Sequence, residues 1–348
     1  MSAVFEHVRA RLRRSPTRRT AQLLDENRQL REALATRWPE TAFVGSSPPA
    51  EAVRFAIDRC GKTDLAVLIV GEHGVGKRLV ARLIHAASGT SGPFVAVSCG
   101  TLPRKLIGPE LFGLERGGPR GRTVRRVGRL ELADRGTLFL DEISEIPPDV
   151  QRRLHSFLRH DAFRHIGRAQ RIPVQARLIA STSQDLGAAV RARLFGRELY
   201  ARFTPRIVRV PSLRERWEDI PVIAEWFLAE LGQRPGMRRA TLDEDARKSL
   251  LRYGWPGNVR ELQDVLVRAS LISPSGQIRR MDLPREIAAL REGGRGHTLL
   301  PPGLPLKDIE RLAMIQTLEA CRGNRAEAAR RLGLSKKGFY LKMKRLGI

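Results

Sequence analysis

The chain has few cysteines and no long apolar run. Its 348 residues include three cysteines, Cys60, Cys99 and Cys321, which lie far apart and form no Cys-x-x-Cys pair. An odd number of scattered cysteines argues against a disulfide framework or a zinc knuckle and favours idle thiols in a reducing compartment. No apolar run approaches the roughly 18 residues of a membrane span, and the N-terminus lacks the apolar core of a signal peptide. The sequence therefore predicts a cytoplasmic protein with no membrane partner.

Acidic residues are scarce relative to basic ones. The chain has 63 Lys and Arg against 37 Asp and Glu, a net charge of +26. A charge of this size suggests a polyanionic partner such as nucleic acid or an anionic membrane face. Only nine of the basic residues are lysine, however, and such an arginine bias also arises from a GC-rich genome. The charge alone leaves both interpretations open.

The length and an ordinary globular composition predict about two domains and a third small one. Residues 1–40 are a basic arm followed by a helical pattern, in which Leu23, Asn27, Leu30 and Leu34 occupy heptad positions. Two heptads are too few to distinguish a short dimerising coiled coil from a helix packed against its own chain.

Residues 41–213 alternate apolar runs with helical patterns, which predicts an α/β fold with a parallel sheet covered on both faces. The runs are LAVLIV (65–70), FVAVSC (94–99), TLFLDEI (137–143), ARLIAST (176–182) and RIVRVPS (206–212). Residues 214–291 contain no strand-like run and predict a helical subdomain. Residues 292–305 are a Gly- and Pro-containing linker, and residues 306–348 predict three helices.

A phosphate-binding pattern follows the first apolar run. GEHGVGK (71–77) has the form G-x-x-x-x-G-K and precedes the helical pattern RLVARLIHAA, which is the strand–loop–helix context that phosphate binding requires. Lys77 would meet the phosphate charge, and Arg78 stands where Ser or Thr is usual. The seven histidines are scattered, and we interpret His73 as a bystander of the loop. The predicted cradle consists of Gly71, Gly74, Val75, Gly76, Lys77 and Arg78.

Two carboxylates follow the third apolar run. The strand ending at Leu140 leads directly into Asp141 and Glu142. A carboxylate at the C-terminal end of a neighbouring strand can hold Mg²⁺ through water, and a second one can orient and deprotonate an attacking water. The alternative is an exposed acidic strand end.

The stretch from FVGSSP (43–48) to WPGNVRELQ (255–263), with GNRAEAARRLGLS (323–335), resembles the AAA+ activators of sigma-54 RNA polymerase, the bacterial enhancer-binding proteins. The resemblance implies an ATP-hydrolysing ring, usually a hexamer, that remodels the closed promoter complex. It also implies an α-helical AAA+ lid and a C-terminal Fis-type helix-turn-helix that binds upstream DNA as a dimer. The site residues that it implies are Lys77 for phosphate, Asp141 for magnesium, Glu142 as catalytic base, Thr182 as first sensor and Arg260 as second sensor.

The chain departs from the family where ATP hydrolysis is coupled and used. Ser98 replaces the Asn that engages the catalytic Glu. In FGRELYARF (195–203), Arg202 is retained, but Gly196 replaces the first arginine finger and Arg197 is shifted by one position. A finger contributes roughly 10³ to 10⁵ in rate in related enzymes, so we expect impaired ATP turnover. The alternative is that Arg197 reaches the phosphate from its shifted position.

The loop that contacts sigma-54 is also altered. GGPRGR (117–122) places Pro119 and Arg120 where the family has Phe and Thr, and six arginines and no acid lie between Arg116 and Arg129. In a ring these arginines would repel one another unless an anion bound them. Either DNA or another anion binds the loop, or the loop has decayed. In both cases we expect that sigma-54 polymerase is not activated in the usual way.

The last 43 residues have helix-turn-helix spacing, with Gly333 at the turn and Ser335 as the cap of the third helix. Residues 306–348 carry 11 basic and 4 acidic residues, which suits DNA. Gly338 stands inside the third helix where the family has Thr. The first residues of a recognition helix meet base edges and later ones meet phosphates. The candidates are Lys336, Lys337, Tyr340 and Lys342 for bases, with Lys344 and Arg345 for phosphates.

The sequence thus predicts a DNA-binding transcriptional regulator with an ATP- and Mg²⁺-binding AAA+ domain. Its expected partners are double-stranded DNA, further copies of itself as a dimer or ring, and RNA polymerase. One alternative is an active ring ATPase that remodels polymerase, and another is an AAA+ protein of DNA replication or transposition.

Overall fold

The computed structural model describes residues 42–117, 123–167, 170–237, 239–273, 276–289, 310–311, 313–315, 317–318, 321 and 324–346. The chain falls into two compact units, of which the first ends at Gly293. The predicted N-terminal arm and helix, the tip of the altered loop and the 292–305 linker lie outside the described residues.

The strands of the first unit are, in chain order, β1 (Val67–Val70), β2 (Phe94–Ser98), β3 (Leu114–Gly117), β4 (Thr123–Arg126), β5 (Thr137–Asp141), β6 (Ala162–Arg164), β7 (Arg171–Pro173), β8 (Arg177–Thr182), β9 (Ile207–Arg209), β10 (Thr241–Leu242) and β11 (Gln277–Ile278). Its helices are α1 (Pro48–Gly61), α2 (Lys77–Ala87), α3 (Arg104–Phe112), α4 (Arg129–Leu132), α5 (Pro148–His160), α6 (Leu186–Arg191), α7 (Arg197–Phe203), α8 (Ile220–Gly232), α9 (Glu244–Arg252), α10 (Asn258–Ile272) and α11 (Arg285–Ala288). Short 3₁₀ turns cover Ile143–Glu145, Leu213–Asp219 and Arg280–Asp282.

A five-stranded parallel sheet with the order β2-β5-β8-β1-β9 forms the centre of the first unit. These strands are the five apolar runs of the sequence, so the predicted parallel sheet is confirmed. Successive side chains of a strand point to opposite faces. In β1, Leu68 therefore packs into one buried cluster, whereas Val67 and Ile69 pack into the cluster on the other face. Both faces of the sheet are covered, as predicted.

Buried polar contacts join the start of α1 to the 3₁₀ turn that precedes α8. Ser47 caps α1 by accepting a hydrogen bond from the backbone of Ala50, and its hydroxyl donates to Asp219 at 2.6 Å. Asp219 also accepts from the backbone N–H groups of Ser46 and Ser47. The start of the fold is thereby tied to the turn that begins the helical subdomain.

Helices α8 to α11 form that subdomain around a buried apolar cluster with Trp255 at its centre. The Trp255 indole N–H donates to the Leu250 carbonyl at 2.9 Å, so its polar atom is satisfied. The sequence predicts only helices here, but the structure also has the parallel pair β10–β11. Each of these strands is two residues long, too short to give an apolar run.

Two antiparallel hairpins, β3–β4 and β6–β7, project from the segments on either side of β5. A parallel bridge joins Leu114, at the base of β3–β4, to Ile166, which follows β6 in the connection between β6 and β7. At least one charged residue interrupts each of these four short strands, which explains why no apolar run predicts them.

The second unit contains helical residues from 310 to 318, then α12 (Arg325–Arg331) and α13 (Lys336–Leu346). Gly333 between α12 and α13 has φ +66°, in the region that favours glycine. Ser335 Oγ accepts a hydrogen bond from the Gly338 N–H at 3.1 Å, so Ser335 caps α13 as predicted. Phe339 and Met343 pack with Met314 in a small apolar core. Among the helices that the structure describes, none is long and apolar enough to cross a membrane.

Candidate functional site

The loop between β1 and α2 has the backbone shape of a phosphate cradle. Gly74 and Gly76 have φ of +80° and +101°, in the left-handed region. Gly71 is required for a different reason, because a Cβ there would lie 2.7 Å from the Val210 carbonyl oxygen. Each of the three glycines predicted to shape the loop therefore has a structural reason to be glycine.

The loop leads into the N-terminus of α2, where no side chain provides a cap. Lys77 is the first residue of α2 and is buried, Val75 is buried before it, and Arg78 after it is exposed. The first-turn amides of a helix lack intrahelical acceptors and carry partial positive charge, so an anion suits them. A Cβ built on Gly76 would meet only Leu79, at 4.0 Å, so the cradle has room on this side.

Lys77 and Glu142 form the central ion pair of the site, with 2.8 Å between Nζ and Oε1. Lys77 also donates to the carbonyl oxygens of Gly71 and Glu72, at 2.9 and 3.1 Å. Burial would raise the pKa of Glu142, but hydrogen bonds from Lys77 and Ser183 outweigh burial and hold the pKa below its ordinary value. Glu142 is therefore a carboxylate at neutral pH.

Two residues outside the predicted site, Ser183 and His73, complete the surroundings of Glu142. The Ser183 N–H and Oγ donate to Glu142 Oε2 at 2.9 and 3.0 Å. The His73 ring lies 3.0 Å from Ser183 Oγ through Nε2 and 3.6 Å from Glu142 Oε1 through Nδ1. His73, interpreted from the sequence as a bystander, thus contacts both groups.

Thr182, the predicted first sensor, makes other contacts. Its hydroxyl accepts from the Gln184 N–H at 3.0 Å and donates to the Gln184 carbonyl at 3.3 Å. Thr182 is fully buried and shapes the turn after β8. The residue that reaches Glu142 is Ser183, and its position directly after Thr182 was the signal for it.

Asp141 ends β5 and accepts a hydrogen bond from Ser181 Oγ. Ser98, which stands where the family has Asn, is the register partner of Asp141 on β2. The serine hydroxyl that contacts Glu142 is that of Ser183. Beside them, burial and the neighbouring carboxylates raise the pKa of Cys99 to about 12, so its thiol stays protonated and unreactive.

The helical subdomain contacts the phosphate loop through Asn258, a residue that the sequence analysis did not predict to be part of the site. Asn258 is fully buried with φ +56° and donates to Glu72 Oε2 at 3.1 Å and to the His73 carbonyl at 2.9 Å. Its Oδ1 accepts from the Leu213 N–H at 2.8 Å. Arg214 forms a two-pronged ion pair with Glu72 and lowers the pKa of that carboxyl. The loop and the subdomain are therefore joined by charged and polar contacts.

Arg260, the predicted second sensor, lies two residues farther along α10. Its backbone N–H donates to the Gly74 carbonyl at 3.3 Å, and its side chain is exposed. A Cβ on Gly74 would lie 2.1 Å from the Gly257 carbonyl, so the turn before α10 packs directly on the loop. The structure thus brings the Arg260 backbone to the cradle.

The two candidate arginine fingers lie on α7, and both side chains are exposed. Arg197 opens the helix and Arg202 lies in its last turn. Because the two residues are five positions apart, their side chains leave the helix in directions that differ by about 140° around its axis. They therefore point in different directions from α7, and no contact joins either one to the cradle among the described residues.

The arginine-rich hairpin β3–β4 is partly neutralised by α3. Arg126 Nη2 and Arg129 Nε lie 2.6 and 2.7 Å from the two carboxylate oxygens of Glu110. Repulsion within the predicted cluster of six arginines is therefore reduced by an acid that precedes the loop in the chain. Pro119 and Arg120 lie outside the described residues.

In the second unit, α13 exposes Tyr340, with the Arg325 guanidinium 5.5 Å from the centre of its ring. Lys342 and Arg345, two predicted DNA contacts, instead bind the Glu310 carboxylate at 2.7 and 3.1 Å. They tie α13 to the preceding helical residues. The side chains of Lys336, Lys337 and Lys344 lie outside the described residues.

Three family models match this chain in succession. Residues 43–208 match the sigma-54 interaction domain, residues 214–298 match an AAA+ ATPase lid domain, and residues 305–346 match the bacterial regulatory protein, Fis family. The matches follow the order sheet domain, helical subdomain and C-terminal helices.

Among known relatives, the response regulator protein PilR of Pseudomonas aeruginosa is 39% identical over 335 residues, covering 92% of this chain and 75% of that protein. The transcriptional regulatory protein ZraR of Escherichia coli is 39% identical over 309 residues, covering 87% of this chain and 68% of that protein. The crystal structure of NtrX from Brucella abortus in complex with ATP superposes with a TM-score of 0.65 at 30% identity, covering 95% of this chain and 74% of NtrX.

Proposed function

This chain belongs to the family of sigma-54-type AAA+ transcriptional regulators that carry a Fis-type DNA-binding domain, and on that premise we propose how it works. ATP binds at the Lys77 loop and controls self-association into a dimer or ring. The C-terminal helices hold the protein at double-stranded DNA upstream of a promoter, in the cytoplasm.

The observation that carries the nucleotide proposal is the pairing of Lys77 with Glu142 beneath the uncapped start of α2. A buried cation, helix amides and a carboxylate lie together beside the end of β5. Such an arrangement can bind a chain of phosphates and support its hydrolysis. The NtrX structure in complex with ATP supports the same ligand here.

Mg²⁺ fits this site through one carboxylate. Among the described residues, no group of three or more His, Cys, Asp or Glu side chains is placed to hold a metal by itself. Nucleotide-site Mg²⁺ uses one or two carboxylates together with phosphates and water, and Asp141 would supply such a carboxylate here. Arg78 removes the usual hydroxyl ligand, so Asp141 would act through water. The ion would neutralise charge on the phosphates.

ATP turnover is the finer part of the proposal. In this proposal Glu142 would act as the base that activates water, and Arg202 would act as the finger supplied to a neighbouring protomer. Gly196 removes the first finger, which supports slow turnover. On this basis nucleotide acts mainly as a switch for assembly and is hydrolysed poorly.

The proposal that sigma-54 polymerase is not activated in the usual way rests on Pro119 and Arg120 in the contact loop. The family comparisons give it no support, because the sigma-54 interaction model matches through this loop. That match favours a second candidate function, in which an active ring ATPase remodels RNA polymerase. ATP turnover separates the two candidates.

The test is ATP hydrolysis by the purified chain across a protein concentration series, beside Lys77→Ala and with Mg-ATP binding measured in parallel. Tight binding that Lys77→Ala abolishes, with little turnover at any concentration, is the expected result. Turnover that climbs cooperatively with concentration and vanishes in the variant would support the ring ATPase instead. An absence of Mg-ATP binding would refute both.

A further inference from the structure

A second cluster of positive charge lies outside the nucleotide site, around α5 and the hairpin β6–β7. It surrounds an open cavity of about 350 Å³, whose charged lining residues are Arg153, His160, Arg164 and Arg171. Among the described residues, no acidic side chain contributes to the lining. The cavity therefore has three permanent positive charges and a fourth when the imidazole is protonated.

The register of the hairpin brings two of these charges together. Arg164 on β6 and Arg171 on β7 are directly opposed partners. Opposed side chains lie on the same face with Cβ atoms roughly 4.5 to 5.5 Å apart, and like charges at such a pair destabilise a hairpin. The adjacent pair, Phe163 and Ile172, packs in the core cluster of the sheet, and Phe163 also contributes to the cavity wall. The arginine pair is thus held outward by the burial of its neighbours.

A third arginine is fixed beside this pair. Arg153 Nη1 donates to the Arg164 carbonyl oxygen at 3.4 Å, and its guanidinium lies 5.5 Å from the centre of the Phe112 ring. Across the part of the chain that the structure describes, no carboxylate lies within ion-pair distance of Arg153, Arg164 or Arg171. Their mutual repulsion is therefore not relieved by any described acidic residue.

We propose that this cavity binds phosphate groups of a nucleic-acid backbone. Guanidinium groups match phosphate oxygens in a bidentate geometry, and several of them on one surface are the usual footprint of a phosphodiester chain. The cavity lies in the AAA+ domain and adds a contact beyond the C-terminal helices. The choice of nucleic acid over free phosphate rests on the proposed function, because a DNA-bound C-terminal domain raises the local concentration of duplex.

The test uses the full chain and a fluorescent duplex of random sequence, with affinity measured over a range of salt concentrations. Arg164→Gln/Arg171→Gln is expected to weaken binding by about threefold to thirtyfold and to reduce the slope of log affinity against log salt by about 1 to 2. The matched control, Arg152→Gln/Arg159→Gln, removes two exposed arginines of α5 that do not line the cavity. An unchanged slope in the first variant, or an equal loss in the control, would overturn the proposal.

A competition arm separates the two sources of phosphate. Inorganic tripolyphosphate is titrated against both double variants and the otherwise unaltered chain, each carrying Lys77→Ala so that the nucleotide site does not bind the probe. If tripolyphosphate binding is lost in Arg164→Gln/Arg171→Gln while the DNA slope is unchanged, the ligand is a free polyphosphate and the nucleic-acid assignment is overturned.

Two further measurements distinguish DNA binding by the cavity from DNA binding by the C-terminal domain and from an effect of the substitutions on folding. In a Lys336→Gln/Lys337→Gln background, site-specific binding is expected to fall, while the slope difference caused by the cavity variant persists. A slope difference that vanishes in this background would overturn the inference. A slope difference that persists while the unaltered chain itself shows no site-specific binding would refute only the proposed function. Removing a like-charge pair is expected not to lower Tm. A Tm below that of the control variant would identify the pair as structural and overturn the proposal.

Discussion

At the scale of single residues, the state of the phosphate loop depends on what Glu142 contacts. Its carboxylate neutralises Lys77, the same cation that a phosphate chain needs. Ser183 holds the other carboxylate oxygen with two hydrogen bonds, so Ser183 fixes where the negative charge lies. A nucleotide at the cradle must compete with this arrangement or rearrange it.

Ser183→Ala removes the hydroxyl donor to Glu142 and leaves the backbone donor in place. Because hydrogen bonds to charged groups contribute roughly 1.5 to 3 kcal/mol and one donor remains, we expect the nucleotide-free protein to lose about 1 kcal/mol of unfolding free energy. Denaturant unfolding measures the change. Ser144→Ala is the control, because Ser144 Oγ is buried without a hydrogen-bond partner among the described residues and its loss should cost almost nothing. Equal effects of the two substitutions would refute the role of Ser183.

Glu72 gives a prediction about pH. The hydrogen bond from Arg214 lowers its pKa, so its carboxylate stabilises the folded state above the unfolded pKa near 4.3, and this contribution is lost as pH falls through the lower folded value. Glu72→Gln is therefore expected to lower Tm at pH 7, by an amount equivalent to at most about 1 kcal/mol because the pair is half exposed. Calorimetry from pH 7 to pH 3.5 should show the difference shrinking at the acid end. A difference that grows at acid pH would contradict this assignment.

At the scale of elements, the phosphate loop and α10 act as one unit. The turn that begins α10 contacts the loop through the Asn258 side chain and through the packing of Gly257 against Gly74. Lid movement relative to the sheet therefore requires that the contacts of Asn258 break or move with the loop.

Asn258→Ala removes three hydrogen bonds and places alanine at φ +56°. We expect a loss of about 2 to 4 kcal/mol, of which roughly 1 kcal/mol is backbone strain. Asn258→Gly loses the same hydrogen bonds without the strain, so it should be about 1 kcal/mol less destabilising than the alanine variant. Chemical unfolding of both variants tests this, and a milder effect of alanine than of glycine would contradict it.

Helix α13 carries an exposed candidate for DNA contact and residues that make packing contacts. Tyr340 is exposed, whereas Lys342 is paired with Glu310. We expect Tyr340→Ala to weaken binding to a specific DNA site about tenfold or more, by analogy with the roughly 1 to 3 kcal/mol of a good base contact. Lys342→Ala should change DNA affinity by less than about threefold. Fluorescence anisotropy on an operator selected from random DNA measures both. A larger loss in Lys342→Ala than in Tyr340→Ala would show that Lys342 leaves Glu310 to contact DNA.

At the scale of the whole molecule, the sequence predicted what depends on continuous local patterns. The five sheet strands lie in predominantly apolar runs, and the phosphate loop is one seven-residue motif, so both were predictable from the sequence. Contacts between distant segments were not predictable from local patterns. Asn258 contacts His73 across 185 positions of sequence, and Ser183 contacts His73 across 110 positions. The hairpin strands were missed because charged residues interrupt them, and the β10–β11 pair was missed because two residues are too few to set a pattern.

The most direct test of nucleotide-controlled assembly is sedimentation velocity of the full chain with and without Mg-ATP, beside Lys77→Ala. A buried cation at an uncapped helix start should make assembly depend on nucleotide. We predict that Mg-ATP shifts the wild-type chain to a dimer or larger ring and leaves Lys77→Ala unchanged. Identical sedimentation of the wild-type chain with and without nucleotide, under conditions where Mg-ATP binding is confirmed, would contradict the role of the Lys77 loop as the switch for assembly.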